Sequence, residues 1–176
     1  MRIANAFLGL AAAVAVSAAG LDARAQGRGD RPLEGINQAV VLQPEIGSSP
    51  ANAECGITPS LVGDAVIGPV IQSGLRTERI EIAAPFTVTT PGVYLVPRVA
   101  TLREGNYMCI SWVGLRAVSV QPVTLPATGL SKTAEILHWE GGYLLSTDRS
   151  RHAEAVSTAI QRLAGEFGTQ WRQDQR

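Results

Sequence analysis

The chain has 176 residues, 45% of them hydrophobic, and its 15 basic and 15 acidic residues give a formal net charge of +0. This length is typical of a single domain that can bury a core of reasonable size. A sequence-independent nucleic-acid binder needs a basic excess to displace the counterions of phosphate. The balanced charge therefore argues against nucleic acid as a partner.

Residues 1–25 have the three regions of a cleavable secretory signal. A positively charged start precedes an alanine-rich apolar run over residues 6–19, and the small residues Ala23 and Ala25 fit the cleavage rule before Gln26. The apolar run is about 14 residues long, shorter than the roughly 18–20 that span a bilayer. The sequence therefore predicts a periplasmic or secreted protein, with no membrane span after cleavage.

Cleavage would also change the charge of the chain. It removes two arginines and one aspartate from the 15 basic and 15 acidic residues, which leaves a net charge near −1. The remaining chain has no polybasic segment with which to anchor itself to anionic lipid.

Two cysteines, Cys55 and Cys109, are the only ones in the chain. In an oxidising compartment, an even number of cysteines in a small chain favours a disulfide. Two buried free thiols are the alternative, since free cysteine packs as a small hydrophobe. A redox-active pair would need a different pattern, because no Cys-x-x-Cys motif is present.

After the signal, residues 26–52 contain many glycines, prolines and serines, which break regular structure. This pattern predicts an extended leader or linker. Within it, residues 36–42 are apolar enough to form a short strand or to dock on a surface.

A helix is predicted over residues 59–73. Thr58 can cap its free amides, Pro59 suits the first helical position, and Gly74 suits a left-handed residue after the last turn. Pro69 removes a hydrogen bond from the interior, so the pattern predicts a kink or two shorter helices.

Four runs of apolar and β-branched residues predict strands, at residues 78–83, 92–102, 107–120 and 134–145. Pro97 suggests an edge position for the second run. The third run is apolar on both faces, as in a central strand covered on both sides. Gly141 and Gly142 predict a bulge or, as an alternative, a hairpin turn within the fourth.

The last element is an amphipathic helix over residues 151–172, with one apolar stripe and either Asp148 or Ser150 as its cap. Gly165 and Gly168 could let it approach the sheet closely. The order of elements predicts an α+β fold with a small antiparallel sheet of three to four strands and two helices packed on one face. Residues 53–176 would form this single domain after the leader.

Candidate catalytic and metal-binding residues are few. On a strand, His138 and Glu140 would share a face, and such a pair could orient an imidazole for acid–base chemistry. Asp148 and His152, together with His138, lack the spacing of known zinc sites, so Asp148 is interpreted as a cap and His152 as exposed. The sequence predicts no metal, no cofactor and no assigned catalytic residue.

Trp139 and Tyr143 would also share one face of the fourth strand. A ligand-binding aromatic patch is one interpretation of the pair. Packing against the apolar stripe of the last helix is the favoured one, because aromatic side chains dominate small cores.

Three functions remain compatible with the sequence. The favoured one is a non-catalytic binding or accessory module of the cell envelope, which docks on an envelope protein through the leader or an exposed sheet edge. The alternatives are a carrier with a small-ligand pocket between helices and sheet, and an enzyme that uses His138 and Glu140.

Overall fold

The computed structural model describes residues 31–80 and 92–176 of the chain. The predicted signal peptide, its predicted cleavage site and the end of the strand predicted at 78–83 lie outside the described residues.

The described residues form a mixed sheet and three helices. Strands β1 to β6 cover Gln38–Val41, Glu45–Ile46, Arg76–Arg79, Gly92–Glu104, Met108–Thr124 and Ser131–Asp148. Helices α1 to α3 cover Ala51–Glu54, Pro59–Gln72 and Arg149–Asp174. No helix among these residues is long and apolar enough to cross a membrane.

The sheet has six strands, in the order β3-β1-β4-β5-β6, with β2 also paired to β4. Strand β1 is parallel to both β3 and β4, whereas β4, β5 and β6 form an antiparallel meander. The predicted small antiparallel sheet of three to four strands is therefore wrong. A short strand within residues 36–42 was one of two interpretations of the sequence, and β1 agrees with it, whereas β2 was not predicted. Residues 26–52 were assigned to a leader because short apolar runs between glycines and prolines carry little strand signal, and only parallel pairing with distant residues brings them into the sheet.

Helix α2 begins as predicted. The Thr58 hydroxyl accepts a hydrogen bond from the Leu61 amide at 3.2 Å, and Pro59 occupies the first turn. The helix continues through Pro69 as one element rather than two. Gly74 follows it with a φ of 93°, a conformation that glycine adopts without strain.

The core lies between α2, α3 and one face of the sheet, which we call the inner face. The apolar stripe of α3 is fully buried there, and its members are Val156, Ile160, Leu163 and Phe167. The opposite, outer face carries a second buried cluster made of Val40, Leu42, Tyr94, Val96, Val118 and Val120. The prediction that the two longer helices cover one face is consistent with this arrangement.

Strand β4 lies in the interior of the sheet, so the edge position predicted from Pro97 is wrong. It pairs with β5 on one side and with β1 and β2 on the other. Pro97 falls between Leu95, the last partner of β1, and Arg98, the first partner of β2. Because the neighbouring strand is interrupted there, a residue without an N–H group is tolerated.

Cys55 and Cys109 form a disulfide, with a Cα–Cα distance of 6.2 Å. It ties the segment between α1 and α2 to β5 on the inner face. Both residues are buried. The bridge predicted from the sequence is present.

Candidate functional site

His138 occupies a bulge in β6. Ala117 pairs with Trp139 and Val118 with Leu137, so His138 is an extra residue without a partner across the ladder. In the neutral ring, Nδ1 donates to the Pro32 carbonyl at 3.0 Å and Nε2 accepts from the Ser119 hydroxyl at 2.8 Å. His138 therefore links Pro32, near the start of the described residues, to Ser119 of β5.

Glu140 lies on the other face of the sheet from His138. It stands opposite Arg116 in the ladder, with a carboxylate–guanidinium distance of 3.8 Å. The bulge causes the separation, because an extra residue changes the face to which the following side chains point. The structure thus does not bring together the His138–Glu140 pair considered for acid–base chemistry.

His152 is fully buried, so its interpretation as an exposed residue is wrong. Its Nε2 lies 2.7 Å from the Ser111 hydroxyl and its Nδ1 lies 2.7 Å from the Thr147 hydroxyl. Ser111 in turn contacts the Thr101 hydroxyl at 2.7 Å. Burial lowers the pKa of His152, because the charged imidazolium loses its hydration in the core.

This buried network joins β4, β5, β6 and the first turn of α3. No carboxylate takes part in it, and the inner core surrounds it. A general base needs access to substrate. The arrangement therefore serves to fix the start of α3 on the sheet by pairing polar groups that would otherwise be buried alone.

The structure also separates the residues considered as metal ligands. Asp148 is exposed at the N-cap of α3 without a side-chain capping bond. His138 lies about 30 Å along β6 from Thr147, the partner of His152. Among residues 31–80 and 92–176 no group of three potential ligands is close enough to hold a metal.

Trp139 and Tyr143 both face the C-terminal helix, which confirms packing as their use. The rings of Trp139 and Phe167 meet edge to face, with centroids 5.7 Å apart. The Tyr143 hydroxyl donates to Glu166, and the Arg162 guanidinium lies 5.1 Å from the tyrosine ring. Burial and the hydrogen bond to Glu166 raise the pKa of Tyr143.

Gly141 and Gly142 form neither the predicted bulge nor a hairpin turn, because β6 continues through both. A Cβ at Gly141 would lie 2.8 Å from Trp139 on the inner face. A Cβ at Gly142 would lie 3.3 Å from Trp112 on the outer face. The two glycines therefore make room for a tryptophan ring on each side of the strand.

The outer face of the sheet carries an exposed apolar surface near the β4–β5 turn. We call it the apolar patch, and it comprises Leu102, Met108, Ile110, Trp112 and Leu144. Leu102 opposes Ile110, and Trp112 opposes Leu144, so the members are contiguous across three strands. Leu102 is 68% exposed, Leu144 is 74% exposed and Trp112 is 38% exposed.

Trp112 is held against the sheet by two features of its surroundings. A Cβ at Gly114 would lie 2.5 Å from the ring, so the indole occupies the space that the glycine leaves free. The Arg98 guanidinium lies 5.8 Å from the ring centroid and is itself paired with Glu45 at 2.8 Å. The ring is thus a positioned part of the surface.

The apolar patch was not predicted from the sequence. The apolar pattern of β5 predicted that both of its faces are covered, which holds at Val118 but not at Trp112. Alternation along 107–120 does indicate that Ile110 and Trp112 share a face. It contains no signal for what lies over that face, since exposure depends on elements remote in sequence.

Residues 33–36, near the start of the described chain, are hydrogen-bonded to residues 171–175 at the opposite end of the molecule from the apolar patch. The buried Asp174 carboxylate accepts from the Leu33 amide at 2.9 Å, and Gln175 donates to the Leu33 carbonyl at 2.7 Å. The Trp171 indole donates to the Ile36 carbonyl at 2.7 Å. Helix α3 is about 39 Å long and begins at the end of the sheet that carries the patch. The patch and these hydrogen bonds therefore lie at opposite ends of the molecule.

No known protein-family model and no curated protein matches the sequence. Among solved structures, the dodecamer of a PelC variant from Paraburkholderia phytofirmans is similar at 12% identity and TM-score 0.42, over 76% of this chain and 90% of that one. A putative neuraminyllactose-binding hemagglutinin homologue from Helicobacter pylori shows 11% identity and TM-score 0.36, with coverages of 79% and 85%. A minor lipoprotein from Acinetobacter baumannii shows 10% identity and TM-score 0.27, with coverages of 77% and 92%. Scores this low assign neither fold nor function.

Proposed function

We propose that this chain is a non-catalytic binding module that works outside the cytoplasm and binds an envelope protein through the apolar patch. The observation that carries the proposal is the contiguous exposed surface around Trp112. Soluble chains seldom leave large side chains such as Leu102, Trp112 and Leu144 side by side in water without a binding role.

The border of the patch supports a protein partner. Arg98, whose guanidinium lies over the Trp112 ring, pairs with Glu45 at 2.8 Å. An apolar centre that contains a tryptophan, with a charged pair beside it, is typical of a protein–protein interface.

The proposed compartment is supported by two independent features. The signal-like start of the sequence favours export. The Cys55–Cys109 disulfide is compatible with an oxidising compartment. Intact-mass measurement of the exported protein tests whether the predicted signal is cleaved. A species that still contains Met1 would contradict cleavage.

A photo-crosslinking experiment tests the binding proposal. A photoreactive amino acid at Leu144 is introduced in cells, and the companion joined to it is identified by mass spectrometry. We expect one near-stoichiometric envelope protein, and we expect Leu102→Arg to abolish the crosslink because it places a charge in the apolar contact.

The matched control is Ile71→Arg, on the exposed side of α2. Ile71 is 55% exposed and lies outside the patch, so its replacement should leave the crosslink unchanged. A crosslink that survives Leu102→Arg, or that disappears equally in Ile71→Arg, would overturn the assignment of the patch as the binding surface.

A further inference from the structure

The β5–β6 hairpin extends past the rest of the described sheet. The pairing of β4 with β5 ends at Tyr94 and Val118, whereas β5 and β6 remain paired up to Thr124 and Ser131. We call residues 121–134 the hairpin arm. Its paired part is about 14 Å long, and residues 124–133 are all exposed.

The tip of the arm is apolar and uncharged. Leu125 is 37% exposed and Leu130 is 59% exposed, and Pro126 and Ala127 lie between them. No charged side chain or histidine occurs from residue 117 to residue 131. Transfer of this tip out of water therefore entails no burial of charge.

The turn at the tip satisfies most of its own backbone donors. The Leu125 amide donates to the Leu130 carbonyl at 2.9 Å, and the amides of Thr128 and Gly129 donate to the Leu125 carbonyl at 3.2 and 2.8 Å. The Leu130 amide donates to the Thr128 hydroxyl at 3.4 Å. Four of the five amide N–H groups of residues 125–130 thus have acceptors inside the turn.

From these features we infer that the hairpin arm inserts its tip into the interfacial region of a lipid bilayer. A protein partner could supply hydrogen bonds to an open turn, but hydrocarbon cannot. An apolar turn that satisfies four of its five amide donors internally therefore loses few hydrogen bonds when it enters the interfacial region. Lys132 follows the tip and stands opposite Val123, at the level where lipid phosphates would meet it. The inserted depth is that of a peripheral contact, not of a span.

The base of the arm is anchored to the rest of the domain. Ser119 contacts His138, which in turn contacts the Pro32 carbonyl. The apolar patch lies at the other end of β5 and would point away from the membrane. The inference does not depend on the function proposed for the patch.

Vesicle flotation with the protein purified after export tests the inference. We expect the protein to float with phosphatidylcholine vesicles and more strongly when phosphatidylglycerol is added, because Lys132 meets anionic headgroups. Leu130→Ser should lower the partition coefficient about tenfold, from the loss of one leucine transfer. Ile71→Ser, at a position of similar exposure on α2, should leave it unchanged.

A second measurement locates the contact. With brominated lipids, fluorescence of a Leu130→Trp variant should be quenched, whereas that of an Ile71→Trp variant should stay at the level of the unmodified protein. Absence of flotation, equal loss in Leu130→Ser and Ile71→Ser, or self-association of the chain through the tip in place of vesicle binding would each overturn the inference. Thermal unfolding of every variant confirms that it is folded.

Discussion

Gly168 of α3 lies so close to Ser73, the C-terminal cap of α2, that a Cβ on the glycine would be 2.7 Å from the Cβ of the serine. The contact joins the two helices to each other, rather than α3 to the sheet as the sequence suggested. We expect Gly168→Ala to lower the free energy of unfolding by about 1–3 kcal/mol, because the helices must separate to admit the methyl group. Chemical denaturation measures it.

Gly165 provides the matched comparison on the same helix. A Cβ at this position would meet open space. Gly165→Ala should therefore raise the free energy of unfolding by up to about 1 kcal/mol, from helix propensity alone. Equal effects of the two substitutions would show that the approach of α3 to Ser73 is not a close contact.

The stability of the protein should depend on pH through His152. Burial lowers the pKa of the folded imidazole below its ordinary value, so the unfolded chain binds more protons at mildly acidic pH. The stability is complete above the unfolded pKa of about 6.5 and is lost as the pH falls from there toward the lower folded pKa. Unfolding free energies measured between neutral and acidic pH test this.

The control for that experiment is His152→Gln. Glutamine retains a donor and an acceptor for Ser111 and Thr147 but does not titrate. The difference in stability between the two proteins should narrow with acidification. A constant difference in unfolding free energy between neutral and acidic pH would show that His152 does not cause the pH dependence of stability.

The disulfide should contribute strongly to stability. Cys55 and Cys109 are 54 residues apart, and closing such a loop stabilises by about 4 kcal/mol in the chain-entropy model. We expect a double replacement by alanine to lower the melting temperature by many degrees. Thiol labelling of denatured, unreduced protein should detect no reactive cysteine, and two labelled thiols would contradict the bridge.

The hydrogen bond between the Leu33 amide and the Asp174 carboxylate should hold residues near the start of the described chain against the end of α3. Asp174→Ala leaves the buried amide of Leu33 without an acceptor, at a cost of about 1–3 kcal/mol. Hydrogen exchange at Leu33 should accelerate, with that of β5 unchanged. Asp64→Ala, which removes an exposed ion pair with Arg79, should change neither. Unaltered exchange at Leu33 in Asp174→Ala would mean that other contacts hold this segment.

The elements with local signals were predictable from the sequence. Thr58 and Pro59 mark the start of α2, and the stripe from Val156 to Phe167 defines α3. For the candidate site, the alternation of residues along β5 placed Ile110 and Trp112 on the same face. It did not indicate how far their side chains are exposed. The separation of His138 from Glu140 depends on a bulge that is visible only once β6 is paired with β5.

By itself the sequence indicated the two longer helices, the three long strands β4 to β6, a favoured disulfide between its only two cysteines and the absence of a basic excess, because each depends on local pattern or composition. Tertiary structure alone decided that residues 38–46 join the sheet, that His152 is buried, and that Trp112 remains in contact with water. Each of these depends on which remote segment lies against the residue. Period and propensity do not contain that information, because burial and strand pairing are properties of the assembled chain.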